Sequence, residues 1–311
     1  MNKPTMKICI GGGGAMGSLF AWQLWRSGAQ VHIYDPWVEH VQAIQAQGLR
    51  VDYAQGQETA MLFASNNATD IGPCDVLMIF GKFHQTEALI QACQPVLRPD
   101  TLILTLQNGL GNIEILKNAN PKHRLAFGLT TLTSELHGPG HIESSYSGTG
   151  ETFFWPMDGQ VTDTEIRLGQ LLSSPIGTMT LDAQIELRIW KKLVINCCLN
   201  TVCALANSNV AQVASTQGVW QLFENIISEI VTLAAMKHIP LTRDMALSYL
   251  SQVCEDAADH FPSMVMDIRR GKRTEIDCLN GAIVQQLKKR GFSAPCNETV
   301  TSLINVLEAR A

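Results

Sequence analysis

The chain has 311 residues, 46% of them hydrophobic and 16% charged, with 23 Lys+Arg against 28 Asp+Glu for a formal net charge of −5. This balance excludes nucleic-acid binding driven by bulk basicity, and the composition excludes charge-rich disorder. The length calls for one large or two medium domains. No window approaches the roughly 20 uninterrupted apolar residues of a membrane helix, so neither a membrane span nor a signal peptide is expected.

In chain order, short apolar runs at 6–10, 31–34, 75–80, 101–106 and 125–130 alternate with helical stretches at 16–27, Val38–Gln47, 86–93 and 113–117. The runs are continuous Val, Ile, Leu, Met and Phe rather than alternating, as in strands buried on both faces of a parallel sheet. From about Gly138 the character changes. His137-Gly138-Pro139-Gly140 and Ser147-Gly148-Thr149-Gly150 read as turns joining short strands. Beyond Leu181 the pattern is helical to the end, with Asp182 as a plausible N-cap. The expected architecture is α/β, a Rossmann-type doubly wound N-terminal domain over 1–181 followed by an all-helical C-terminal domain over 182–311. The apolar stretch 219–235 is either intrachain core or a subunit contact, so a homodimer stays open.

Nine cysteines, odd in number, scattered and never spaced C-x-x-C, read as reduced core residues of a cytoplasmic protein. The eight histidines supply no ligand spacing, so no metal is expected.

Gly12-Gly13-Gly14-Ala15-Met16-Gly17 fits G-x-G-x-x-G between a strand-like Lys7-Ile8-Cys9-Ile10 and an apolar helix, the context that makes the motif specific for a dinucleotide. Gly12 permits the tight turn, Gly14 lets the pyrophosphate approach, and Gly17 lets the helix pack on its strand. The helix N–H groups, at Ala15 and Met16, then face the phosphates. Asp35 lies eighteen residues past Gly17, at the end of the second strand. It has two readings: a carboxylate accepting both ribose hydroxyls of NAD, or a turn-forming residue before Pro36 that points to water. Opposite the 2′-phosphate of NADP, like charges about 4 Å apart at an effective dielectric of ~20 repel by about 4 kcal/mol per pair.

The segment Ile185–Ala206 is apolar nearly all the way round a helix, and Lys192, Asn196 and Asn200 recur in it at i, i+4 and i+8. A buried ammonium or amide is costly without a partner, so a polar row on such a helix is best explained by a cleft that the row lines. Taken singly, Lys192 reads as a solvated surface lysine and either Asn as a satisfied core amide. Downstream, two helices meeting at Gly271 would account for 263–277. Glu275 opens the second of them, where its charge suits the helix dipole.

Gly12 to Gly17, the run Trp190-Lys191-Lys192-Leu193-Val194-Ile195-Asn196, and 263–281 with Arg273-Thr274-Glu275-Ile276-Asp277 at its centre together resemble the ketopantoate reductase (2-dehydropantoate 2-reductase) family over essentially the whole chain. The resemblance implies reduction of 2-dehydropantoate to pantoate, in pantothenate biosynthesis, by a nicotinamide dinucleotide. It implies Lys192 as catalytic acid and Glu275 as its acidic partner. Asn108, Asn196, Asn200 and Ser263 fall on substrate-binding positions, and Lys82, Gln85 and Asn108 on positions near the cofactor. One departure stands out: where the family carries an Arg to grip the 2′-phosphate, this chain has Pro36 preceded by Asp35. The family implies NADP(H), while Asp35 and the missing Arg lean toward NAD(H). Two alternatives remain at this point, a related D-2-hydroxyacid dehydrogenase acting on another 2-keto acid and a non-catalytic dinucleotide-sensing protein.

Overall fold

The structure, a computed structural model, describes residues 5–144, 150–173 and 177–310. The expected turn at Ser147-Gly148-Thr149 falls outside them. The chain divides into two compact units, one made of Met1–Gln107 and Asn112–Ile185, the other of Asn108–Gly111 and Glu186–Ala311.

The first unit carries strands β1 (Lys7–Gly11), β2 (Gln30–Tyr34), β3 (Leu49–Tyr53), β4 (Gly56–Ala60), β5 (Phe63–Ser65), β6 (Val76–Ile79), β7 (Leu102–Thr105), β8 (Arg124–Thr130), β9 (Ser134–Gly138), β10 (His141–Ser144), β11 (Glu151–Pro156) and β12 (Thr178–Leu181). Its helices are α1 (Ala15–Arg26), α2 (Val38–Gln47), α3 (Thr86–Ala92), α4 (Asn112–Ala119) and α5 (Asp163–Leu171). The larger sheet runs β12-β11-β8-β7-β6-β1-β2-β5. From β8 to β5 all neighbours are parallel. These six strands have the doubly wound order, and the order reverses between β1 and β6, the switch point where such sheets bind ligands. All four residues of β6 and of β7 are buried, which is why these strands read as unbroken apolar runs.

The sequence reading left 49–65 unassigned, whereas the structure has three strands there. β3 and β4 form a hairpin that joins β10 and β9 in a second sheet, ordered β4-β3-β10-β9. The alternation of buried Leu49 and Val51 with exposed Arg50 and half-buried Asp52, followed by Gly56, was the available signal. Helix α1 packs on β1 and β2 and also on β3, β9 and β10, so every residue from Gly17 to Leu24 is buried. Trp22 and Phe20 are fully enclosed.

The second unit contains α6 (Ile185–Ile195), which begins one residue before it, then α7 (Thr201–Ala206), α8 (Val210–Ala214), α9 (Val219–Met236), α10 (Arg243–Asp256), α11 (Ser263–Arg269), α12 (Asn280–Lys288) and α13 (Pro295–Glu308). Asp182 accepts from the Gln184 N–H at 2.8 Å just ahead of α6. On α9, Phe223, Ile226, Ile227, Ile230 and Leu233 form a buried stripe, so the stretch left open between core and subunit contact contributes core on that face.

Two expectations need correction here. Ile185–Ala206 is not one regular helix, because residues Asn196–Asn200 form a π turn between α6 and α7. The run is long and apolar enough to cross a membrane by composition, yet most of it is buried within the protein. Nor does Glu275 open a helix: it precedes a 3-10 turn over Ile276–Cys278, and α12 starts at Asn280. Gly271, at φ +60°, ends the run of α11 in the left-handed region, and no helix resumes over 272–275.

Candidate active site

At the switch point of the first unit, β1 runs into the glycine loop and α1. The Gly12 N–H donates to Tyr34 O at 2.8 Å and the Phe80 N–H to Gly11 O at 2.7 Å, so the loop is tied to the ends of β2 and β6. Gly12 has φ +97°, and a Cβ there would lie 1.6 Å from the Phe80 carbonyl oxygen. A Cβ on Gly17 would lie 1.9 Å from Gly12 O, so α1 approaches β1 as closely as the motif requires. At Gly14, by contrast, nothing lies within 4 Å of a built Cβ. The N-cap of α1 has no side-chain hydrogen bond and its first turn no acidic residue, which leaves the N–H groups around Ala15 and Met16 to meet an anion. Narrow where the strands need it and open where a pyrophosphate would lie, the loop fits a dinucleotide.

Asp35 is buried, 8% exposed, and both carboxylate oxygens are engaged: Oδ2 accepts from the Gly13 N–H at 2.6 Å and Oδ1 from the Trp37 N–H at 2.8 Å. It therefore does not simply point to water. It braces the loop, and each oxygen keeps a second lone pair for a ribose hydroxyl. Lys82 and Gln85 sit on the loop after β6, where Gln85 Oε1 accepts from the Lys82 N–H at 2.9 Å. Gln107, which the sequence reading passed over, donates from Nε2 to Gly81 O at 2.7 Å and to Thr86 Oγ1 at 2.9 Å, holding the same loop.

In the second unit, Lys192 stands near the end of α6 and is partly buried. Burial pushes its ammonium down from the ordinary 10.5 to about 8, while the nearby Glu275 carboxylate pulls it up. Asn108 Nδ2 donates to Glu275 Oε2 at 3.1 Å across 167 residues of sequence. The Leu110 N–H donates to Cys278 O at 2.8 Å and the Cys278 thiol to Glu275 O at 3.2 Å, so Asn108–Gly111 is stitched onto the turn that carries Glu275. Lys192, Glu275 and Asn108 thus come together.

Asn196 and Asn200, 7% and 9% exposed, lie within the π turn, where Asn200 Nδ2 donates to Asn196 Oδ1 at 3.3 Å. They still share a face, although not by the regular helical spacing. A π turn breaks the i→i+4 ladder and releases carbonyls that need other donors. The Cys197 carbonyl accepts from Thr201 Oγ1 and, at 3.1 Å, from Asn280 Nδ2. Asn280 Nδ2 also reaches Asn297 Oδ1 at 3.0 Å, and Asn297 Nδ2 donates to Glu229 Oε2 at 2.6 Å. Asn280 and Asn297 are fully buried and were missed from sequence, where two asparagines among apolar helical residues were the available signal. Ser263 is exposed at the start of α11, which packs on α7 and the π turn, so the structure brings its helix but not its hydroxyl into the cluster of the other residues.

A doubly wound sheet with a dinucleotide loop at its switch point, followed in the same chain by a helical unit that pairs a depressed lysine with a carboxylate, defines a class of two-domain oxidoreductases. Within that class the chain belongs to the ketopantoate reductase family: the model of ketopantoate reductase PanE/ApbA matches residues 8–159 and that of its C-terminal region residues 184–308. A 2-dehydropantoate 2-reductase of Streptococcus pyogenes is 28% identical over 305 residues, covering 98% of each chain. Among solved structures, a D-mandelate dehydrogenase with NADH and anilino(oxo)acetate has a TM-score of 0.89 at 29% identity, covering 98% of this chain and 99% of that one. A ketopantoate reductase from Ralstonia eutropha has the same TM-score at 27% identity, with the same coverage.

Proposed function

We propose that the protein reduces the keto group of a 2-keto acid to a hydroxyl, with 2-dehydropantoate as substrate and pantoate as product, using NADH. The arrangement that carries this is the Lys192 ammonium beside a Glu275 carboxylate that Asn108 holds in place at 3.1 Å, with burial lowering the lysine's pKa. When bound, the nicotinamide supplies a hydride to the keto carbon. Lys192 Nζ faces the keto oxygen and passes it a proton as negative charge develops there. A lysine near 8 is still mostly protonated at neutral pH and is a better donor than one at its ordinary value. Glu275 keeps it charged, and Asn108 orients the carboxylate. Asn196, Asn200 and Ser263 are neutral donors and acceptors suited to the substrate's carboxylate and hydroxyl without adding charge.

On the cofactor side, Gly12, Gly14, Ala15, Met16 and Gly17 would hold the pyrophosphate, with Lys82 and Gln85 near the cofactor and Asp35 for the adenosine ribose. The preference for NADH rests on Asp35, a buried carboxylate where NADP(H) would bring a 2′-phosphate, together with Pro36 in the place of the family's Arg. We assign dinucleotide binding to the domain over 1–181 and catalysis to the helical domain over 182–311, with Asn108–Gly111 grouped with the second compact unit, and the free thiols suit a cytoplasmic setting.

The likeness to a D-mandelate dehydrogenase solved with NADH favours one second reading, the same chemistry on an aryl 2-keto acid. A steady-state panel of 2-dehydropantoate, phenylglyoxylate and smaller 2-keto acids, each with NADH and NADPH, separates the two. The highest kcat/KM for 2-dehydropantoate with NADH is expected. A higher value for phenylglyoxylate selects the second reading, and tight dinucleotide binding without turnover of any keto acid overturns both.

A further inference from the structure

Beneath the glycine loop lies a buried polar chain that the reaction itself does not use. His40, on α2, is fully buried, and its Nδ1 accepts from the Gly140 N–H at 3.0 Å in the turn between β9 and β10. An imidazole nitrogen that accepts carries no proton, so in the neutral ring the proton sits on Nε2. Nε2 faces Ser18 Oγ at 3.4 Å, and the Ser18 hydroxyl donates to Gly13 O at 2.5 Å. The direction of every bond is thus set, from Gly140 through His40 and Ser18 to Gly13.

The other side of Gly13 is held as well, its N–H by Asp35 Oδ2 at 2.6 Å. A trans peptide is planar, so its N–H points opposite to its C=O. With the Gly13 carbonyl drawn inward to Ser18, the Gly14 N–H of the same peptide turns outward, where a built Gly14 Cβ finds nothing within 4 Å.

We propose that Ser18 and His40 are positioning residues that preset the Gly14 N–H as a donor to the dinucleotide pyrophosphate, and that the relay works only with a neutral His40. This inference rests on the loop's being the dinucleotide site. A second proton on Nδ1 would confront the Gly140 N–H and break the chain at its first link. Burial is the main influence on His40 and holds its pKa below 6.5, whereas the Asp35 carboxylate and the Gly13 backbone pull it upward. Asp35 is the charged group that acts on it. The Trp37 ring stacks on the imidazole with centroids 5.2 Å apart and 12° between planes, and the remaining facing groups, Ser18, Gly140 and the Gly13 backbone, are uncharged.

The test is calorimetric titration of the full chain with NAD⁺ and NADP⁺ between pH 5 and 8, with thermal unfolding of each variant recorded alongside. Wild type should bind with constant affinity from pH 7 to 8 and lose affinity at acid pH, below His40's ordinary range. Ser18→Ala should bind about five- to tenfold more weakly at pH 7.5, the loss of one hydrogen bond. His40→Gln keeps an amide N–H to give to Ser18 and cannot titrate, so it should retain affinity and lose the acid decline. His40→Asn can accept from Gly140 but not reach Ser18, so it should resemble Ser18→Ala. Wild-type affinity in both Ser18→Ala and His40→Asn, or the same acid decline in His40→Gln as in wild type, overturns the proposal. The second comparison stands even where Ser18→Ala does not fold. Wild type binding neither dinucleotide removes the loop assignment itself, an outcome distinct from failure of the relay.

Discussion

Lys192 as general acid makes a quantitative claim about pH. The group must be protonated to give its proton, so kcat/KM should be highest below its pKa and fall about tenfold per unit above it. With the pKa at about 8, the protonated fraction drops about thirtyfold between pH 7 and 9.5, whereas a lysine at its ordinary 10.5 would lose only about a tenth over that range. Burial is the larger influence and Glu275 opposes it, so Glu275→Gln should move the alkaline limb toward lower pH. Lys192→Ala should reduce turnover by about 10²–10⁴ and abolish the limb. Initial rates of NADH oxidation with 2-dehydropantoate, followed by absorbance in buffers of constant ionic strength, give all three profiles. A wild-type profile flat to pH 9.5, or a Glu275→Gln limb displaced to higher pH, would refute the assignment.

Asp35→Ala removes the charge that opposes a 2′-phosphate and should raise NADPH affinity relative to NADH about ten- to hundredfold, less than the unscreened Coulomb figure because the ribose site admits water and salt. NADH binding itself should weaken in this variant, since the Gly13 and Trp37 N–H groups lose their acceptor; unchanged titrations with both cofactors would contradict this. Gly12→Ala forces a Cβ into the Phe80 carbonyl at positive φ and should cost about 3 kcal/mol in urea unfolding along with dinucleotide binding, so a wild-type midpoint would speak against the loop geometry. Asn280→Ala strips a donor from the Cys197 carbonyl and from Asn297, for about 1–3 kcal/mol of stability, and should raise KM for the keto acid while leaving that for the dinucleotide nearly unchanged.

What could be read from the amino acids alone was whatever is encoded locally. Continuous apolar runs mark strands enclosed on both faces, and β1, β2, β6, β7 and β8 lie close to where those runs end. Gly12, Gly14 and Gly17 show their chemistry within six residues. Lys192, Asn196 and Asn200 stand out because polar groups are costly on an apolar helix. Only the tertiary structure decided which distant partners these groups have. Asn108 reaches Glu275 from 167 residues away, Asn280 supplies a donor to a π turn that no 3.6-residue period reveals, and His40 meets Gly140 across 100 residues. Side-chain periodicity registers burial, whereas the direction of a hydrogen bond depends on atoms that chain folding brings within about 3 Å, and nothing in the linear order of residues records that distance.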